Sequence, residues 1–183
     1  AGEGFVDITQ NKGAKVVSMN IAVMRSFFQT APLIYANIAR LACENRSLSQ
    51  LKALKISQQQ FKKATLNNDP AQAAMHNHQF HHIIGDMSQN CYLIPSLQRM
   101  LIDHTRLSQT FYRPASPAES ALVRQACEQH DQMIAAIENR HAEVAVDLTL
   151  QHWALSQDRM ERFVRPDPLP VELASPKETA NAI

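Results

Sequence analysis

Histidine is the residue type in this sequence that is best suited to binding a metal ion. The chain has 183 residues and eight histidines, four of which fall between positions 76 and 82. A neutral imidazole binds zinc, nickel, copper or iron through one ring nitrogen. Whether such a site exists depends on which histidines point toward the interior of the fold and converge there.

Helical periodicity directs His81 and His130 toward the interior. Residues four apart on a helix lie about 40° apart around its axis, so His81 shares a face with Asn77, Ala74 and Ile84. His130 lies in an apolar stripe whose members are three, four or seven residues away: Ala126, Met133, Ile134 and Ile137. Both histidines are therefore predicted to be buried.

The remaining candidates differ in their surroundings. His152 has Leu148 four residues before it and Leu155 three residues after it, so we expect it to face inward too. His104 and His141 lie near the predicted ends of helices, where the periodicity supports an inward orientation less strongly. His81, His130 and His152, on three different helices, are the best candidates for a shared site.

Buried imidazoles need hydrogen-bond partners, because an unpaired polar group in the interior costs free energy. A metal ion held by three histidines would satisfy them and leave coordination positions open for water or a ligand. The alternative is that each histidine makes its own local hydrogen bond. A further alternative is a metalloenzyme in a helical bundle, which would also need an acid or base beside the metal-bound water. The acidic candidates for that role are Asp86, Asp103, Glu128 and Asp131.

Composition limits the class of protein. Eighteen Lys and Arg residues against seventeen Asp and Glu residues give a net charge of +1, which offers no electrostatic footprint for nucleic acid. Three widely spaced cysteines argue against a disulfide framework and favour a cytoplasmic location. No apolar run approaches the length of a membrane span. With 45% hydrophobic residues, the chain is long enough to bury a real core.

The elements that must position the histidines are predicted to be helices. Three of the four glycines fall within the first thirteen residues, and the rest of the chain is rich in helix-forming residues. Ser18, Ser47, Asp69 and Ser116 are predicted to cap helices, and Pro32 to kink or break the first one. The predicted helices cover about residues 18–45, 47–66, 69–86, 91–112, 116–139 and 141–164.

A short strand pair is predicted before the helices. Residues 5–9 alternate apolar and polar side chains, Gly13 suits a turn, and residues 14–17 can return as a second strand. The prolines that follow position 165 rule out further helix, and residues 166–183 are predicted to be a disordered tail. The expected fold is all-α: an antiparallel bundle of about six helices preceded by a short β-hairpin.

Three motifs on these helices resemble one family. The stretch NHQFHHII at 77–84, followed by SQN at 88–90, is similar to the "D-x-x-F-H … s-x-N" motif of the FCD effector domain. EQHDQMIAAI at 128–137 and LTLQHW at 148–153 resemble two further helices of that domain. The domain belongs to the FadR-like branch of the GntR superfamily of bacterial transcription regulators.

The resemblance also implies a domain organisation. Residues 1–17 resemble the wing that ends a GntR winged helix-turn-helix domain, 18–165 would be the effector-binding domain, and 166–183 the tail. The chain would then be a truncated or proteolysed regulator without its DNA-reading helices. The alternative is a naturally short chain whose hairpin packs on the bundle.

The resemblance implies a divalent metal, with zinc or nickel favoured, held by His81, His130 and His152. The position at which the family has an Asp is Asn77 in this chain. An amide oxygen is a weaker ligand than a carboxylate, and metal occupancy is therefore in question. The family's effectors are small organic or sugar acids, and Arg106, or alternatively Arg99, is the candidate for pairing with an acid group.

The function implied is that of a ligand sensor, not an enzyme. An effector would shift a homodimer between states that bind operator DNA and states that do not. Operator contact would be made through the absent N-terminal domain, and no membrane would be involved.

Overall fold

The computed structural model of the chain describes residues 5–9 and 13–162. The predicted hairpin is confirmed: strand β1 (Val6–Thr9) pairs antiparallel with β2 (Gly13–Val16), with Val6 opposite Val16. Gly13 has a φ of 83°, a conformation that favours glycine. The middle of the predicted turn and the predicted tail at 166–183 lie outside the described residues.

Six helices follow the hairpin in the described part of the chain, which confirms the predicted all-α bundle. They are α1 (Ile21–Asn45), α2 (Leu48–Leu66), α3 (Pro70–Met87), α4 (Leu93–Phe111), α5 (Pro117–Glu138) and α6 (Ala142–Arg162). The predicted boundaries differ from these by at most about three residues.

Side-chain capping explains why most of these helices begin where they do. The predicted capping box is confirmed, since Ser47 Oγ accepts from the Gln50 backbone N–H and Gln50 Oε1 accepts from the Ser47 N–H. Asp69 and Ser116 each accept from the backbone N–H three residues on, with proline as the first helical residue. Each of these interactions satisfies an N–H that has no partner within the helix.

The start of α1 differs from the prediction. Asn20, not Ser18, is the N-cap, and its Oδ1 accepts a hydrogen bond of 2.9 Å from the Val23 N–H. The prediction for Pro32 was a kink or a break, and the break is wrong because the helix continues through this residue. Ala31 and Tyr35 on either side of the proline are buried in the bundle. Tertiary packing therefore outweighs the local cost of proline in a helix.

Helix α1 lies at the centre of the packing. It contacts α3, α4, α5 and α6, while α2 packs against α3 and α5. The main core contains large buried side chains such as Ile38, Leu54, Phe80 and Met87, and a second cluster surrounds Phe61. No helix in the described part of the chain combines the length and hydropathy needed to cross a membrane.

Candidate metal centre

Three histidines that helical periodicity predicted to face inward converge at the centre of the bundle. His81 on α3, His130 on α5 and His152 on α6 each offer a ring nitrogen, and these nitrogens all lie within 4.8 Å of one another. Their exposed fractions are 4%, 0% and 9%. The Nε2 atoms of His130 and His152 are 3.2 Å apart. Three donor nitrogens this close together are suited to sharing one cation.

Gln58 on α2 determines the tautomer of His130. The Gln58 amide nitrogen donates to the Cys127 carbonyl oxygen at 2.8 Å and to Asp131 Oδ1 at 3.1 Å. The amide oxygen therefore faces His130 Nδ1, at 3.0 Å. Because an amide oxygen can only accept, Nδ1 must carry the proton. The Nε2 of a neutral His130 then presents a lone pair to the centre.

His152 is held in a similar way. Its Nδ1 lies 3.1 Å from Oε1 of the buried Gln129, so the proton is again on Nδ1. The lone pairs of His130 and His152 thus face each other with no proton between them. This arrangement is repulsive by itself, and a cation between the two nitrogens removes the repulsion. The glutamines occupy the positions at which outer partners orient imidazoles in metal sites.

Two further buried polar atoms lack hydrogen-bond partners. Asn77 Oδ1 and His81 Nε2 are buried and make no hydrogen bond among the described residues. Asn77 is 1% exposed, so water does not reach its side chain from bulk solvent. An unsatisfied buried polar atom costs about 1–3 kcal/mol. The oxygen of Asn77 and the nitrogen of His81 are both types of atom that bind a divalent metal, so the residues present fit such an ion.

His104 on α4 also lies at the centre, although the periodicity supported an inward orientation for it less strongly. It is 5% exposed, its Nδ1 lies 2.8 Å from the Tyr35 hydroxyl, and its ring centroid is 5.5 Å from that of His81. The sequence indication that His104 is buried is an apolar stripe at helical spacing on the same helix: Leu97, Leu101, Leu107 and Phe111. The nearby helix end does not prevent the burial of His104.

The chamber beside the histidines is small. Its wall consists of Tyr35, His81, His104, Thr149, His152 and Trp153. The volume of this cavity is about 10 Å³, which is enough for about one water molecule or ion. An effector larger than this requires movement of the wall.

Burial controls the protonation of the central histidines. Desolvation lowers the pKa of His104 to about 3 and that of His152 to about 4. It also holds the pKa values of His81 and His130 well below the usual range, with smaller contributions from neighbouring histidines. All four imidazoles are therefore neutral near pH 7, which is the form that binds metals.

The two arginines proposed for effector binding lie elsewhere. Arg106 donates to Asp103 Oδ1 at 3.3 Å and to the Val17 carbonyl oxygen at 3.0 Å, which ties α4 to the end of the hairpin. The Arg99 guanidinium lies 5.0 Å from the centroid of the Phe5 ring. Arg99 and Asp103 line a groove of about 510 Å³ between α1 and α4. Neither arginine borders the described wall of the histidine chamber.

The acidic residues considered for catalysis are also outside the chamber. Asp86 lies beside His82 on α3, Asp103 is bound to Arg106, and Glu128 is exposed. Asp131 is about half exposed and forms an ion pair with Lys62. Within the described residues, no acidic side chain lines the histidine chamber.

Comparison with known proteins identifies the family. The family model of the FCD domain matches residues 28–155. Among solved structures, Escherichia coli McbR/YncC is similar with a TM-score of 0.76 and 15% identity, over 90% of this chain and 76% of that chain. A comparison with curated protein sequences found no match.

Two further solved structures share the fold. Lar, which controls the expression of the Listeria monocytogenes agr system, has a TM-score of 0.66 and 13% identity, over 88% of this chain and 74% of that one. Streptococcus agalactiae GntR has a TM-score of 0.59 and 18% identity, over 86% and 75%. The resemblance of the three motifs is confirmed, and the chain belongs to the FCD domain family, the ligand-sensing domain of GntR-type regulators.

Proposed function

We propose that this domain binds a small organic acid at a divalent metal ion held by His81, His130 and His152, with the Asn77 side-chain oxygen as a further ligand. The observation that carries the proposal is the pair of lone pairs on His130 and His152, 3.2 Å apart and fixed by two glutamines. The unpaired polar atoms of Asn77 and His81 support it.

Zinc or nickel suits a site of this composition, because imidazole is a good ligand for both. When bound, the metal supplies open coordination positions for a carboxylate oxygen. The protein's own contribution is to hold the His130 and His152 rings in one tautomer and to exclude bulk water. Since no acidic side chain among the described residues borders the chamber, the arrangement favours binding over catalysis.

An arginine is proposed to recognise a second acid group on the effector. Arg106, late in α4, is the first candidate, and Arg99 on the same helix is the alternative. Neither borders the histidine chamber, so the effector would have to extend beyond it. Arg106 is bound to Asp103, so an acidic effector has to compete with that carboxylate. Guanidinium groups form bidentate pairs with carboxylates, which makes such an exchange chemically reasonable.

Signal transmission is proposed to follow from a shift between two arrangements of a homodimer. Residues 1–17 would end a winged DNA-binding domain, residues 18–165 would sense the effector in the cytoplasm, and operator DNA would be bound through the N-terminal domain. Family membership supports this organisation. An effector that binds one arrangement more tightly shifts the equilibrium by its difference in affinity.

Elemental analysis by mass spectrometry on tag-free purified protein tests the metal site. We expect about one equivalent of zinc or nickel per chain. Small carboxylates are then screened by thermal shift on the metal-loaded protein, and a higher melting temperature identifies an effector class. Absence of metal both as purified and after reconstitution with either ion would overturn the proposal.

A further inference from the structure

We infer that the metal ion and an anion bind to this site as a unit, because Asn77 leaves the ligand set without any negative charge. The inference rests on the proposed function and concerns the occupancy of the same site. It goes further in stating that the anion is required for tight metal binding, whereas the proposed function requires only that an anion can bind.

The proposed ligands are all neutral. His130 and His152 are held in neutral tautomers by Gln58 and Gln129, and Asn77 offers an uncharged amide oxygen. Among the described residues, the side chains at this site that are both close together and able to bind a metal are the three histidines alone. A divalent cation there would keep its full charge in a region that water hardly enters. An uncompensated charge in such a place is costly.

The surroundings do not supply the missing charge. Asp131 is the carboxylate connected to the site most directly, through the Gln58 amide, and its charge is balanced by the ion pair with Lys62. Among the described residues, no acidic side chain lines the histidine chamber. A cation at the centre therefore takes its counter-charge from an anion in solution or from hydroxide formed by a metal-bound water.

The size and lining of the chamber indicate which anions can serve. The space admits about one water-sized group beside the histidines, and the Thr149 hydroxyl on its wall already donates to the Ala145 carbonyl oxygen. The anion is thus stabilised chiefly by the metal itself. A small carboxylate can present one oxygen to the metal, and its remaining atoms require the chamber wall to move. Acetate is a suitable probe, because it is among the smallest carboxylates.

Binding of two ligands that stabilise each other is reciprocal. If acetate raises the affinity for zinc by some factor, zinc must raise the affinity for acetate by the same factor. An Asp at position 77 would supply the negative charge from within the protein. The variant Asn77→Asp is nearly isosteric, so it changes the charge of the ligand set with little change in packing.

The experiment measures zinc affinity by competition with a chromophoric chelator, in acetate and in perchlorate buffers of equal ionic strength near pH ~7. For the wild type we expect zinc to bind at least about tenfold more tightly in acetate. Asn77→Asp should bind zinc at least about tenfold more tightly than the wild type in perchlorate, and acetate should change its affinity much less. Asn37→Asp, an exposed position on α1, should behave like the wild type.

Circular dichroism and the melting temperature of the metal-free variants establish that each is folded. Equal zinc affinity of the wild type in the two buffers would overturn the inference and leave the proposed metal site standing. Failure of Asn77→Asp to bind more tightly in perchlorate would also overturn it. If neither the wild type nor Asn77→Asp binds zinc in either buffer, the proposed metal site fails and the inference fails with it.

Discussion

The Nε2 atoms of His130 and His152 lie 3.2 Å apart, while Gln58 and Gln129 hold the opposite nitrogens of the two rings. The four side chains come from α2, α5 and α6. Two lone pairs are thereby directed at one point before any ligand arrives. Such preorganisation reduces the cost of ordering the ligands on binding and is typical of designed and natural metal sites.

Zinc should raise the melting temperature of the protein through this site. A ligand that binds only the folded state stabilises it by about 2.7 kcal/mol when its concentration is 100 times its dissociation constant. His130→Ala removes one of the two opposed nitrogens, and we expect it to abolish the shift. Differential scanning fluorimetry of metal-free protein, with and without added zinc or nickel, measures the effect.

His141→Ala is the matched control for that experiment, because His141 is exposed in the turn before α6. This variant should keep the full shift in melting temperature. Equal loss of the shift in both variants would mean that the ligand assignment is wrong. The absence of a shift in the wild type at millimolar metal would count against the site altogether.

Gln58 should affect metal affinity although it is not itself a ligand. Gln58→Met keeps the approximate shape of the side chain but removes the acceptor that holds His130 Nδ1. Loss of an outer partner of this kind typically costs 10–100-fold in metal affinity. Competition titration with a zinc indicator provides the dissociation constant.

The neighbouring Gln59 is exposed on α2 and offers the comparison. Gln59→Met should bind zinc with the affinity of the wild type. The ¹⁵N shifts of the His130 ring supply a second readout, since they distinguish the two neutral tautomers. An unchanged affinity together with an unchanged tautomer in Gln58→Met would refute the role assigned to Gln58.

Metal-free protein should lose stability as the pH falls below about 6.5, because the central histidines are protonated more readily in the unfolded chain. In the folded protein His104 stays neutral down to a pKa of about 3 and His152 to about 4. Between the unfolded and folded pKa values the unfolded state binds more protons. The free energy of unfolding therefore decreases with falling pH across this window and is unaffected by these groups above it.

Urea unfolding at several pH values measures this dependence. The range between about pH 6.5 and 5 is the most informative, because most carboxylates titrate below it. The slope should correspond to the uptake of at least about two protons on unfolding. A free energy of unfolding that stays constant across this range would contradict the prediction.

Tyr35→Phe should destabilise the metal-free protein. The Tyr35 hydroxyl pairs with His104 Nδ1 in the interior, and the variant leaves that nitrogen without a partner. An unsatisfied buried group costs about 1–3 kcal/mol. Tyr92→Phe removes a hydroxyl from an 84% exposed side chain and should change the free energy of unfolding by less than about 0.5 kcal/mol. Equal effects of the two variants would exclude a structural role for the Tyr35–His104 pair.

Much of the fold was predictable because its elements begin and end with local signals. The caps at Ser47, Asp69 and Ser116 act through backbone groups three residues away, so a short stretch of sequence contains the whole interaction. The inward orientation of His81 and His130 followed from helical periodicity for the same reason. The predicted break at Pro32 was wrong because the cost of a proline is local, whereas the packing that keeps α1 continuous comes from other helices.

The centre of the bundle was only partly predictable. Periodicity orients a side chain relative to its own helix, but it does not specify the height at which helices align. The pairing of Tyr35 with His104 and the contact of Gln58 with His130 join positions 69 and 72 residues apart. The placement of Arg106 against Val17 depends on how α4 meets the hairpin. Distances of this kind arise only when the helices pack.

The sequence by itself determined the class of the fold, most of the sites at which helices start, the faces that are buried and the neutral residue at position 77. The tertiary structure decided that three imidazoles meet within 4.8 Å, which of their nitrogens present lone pairs, and that the arginines of α4 lie outside the chamber. Caps and faces depend on interactions within one or two turns. A shared site depends on the relative position of several helices, which is fixed only by packing of the whole core.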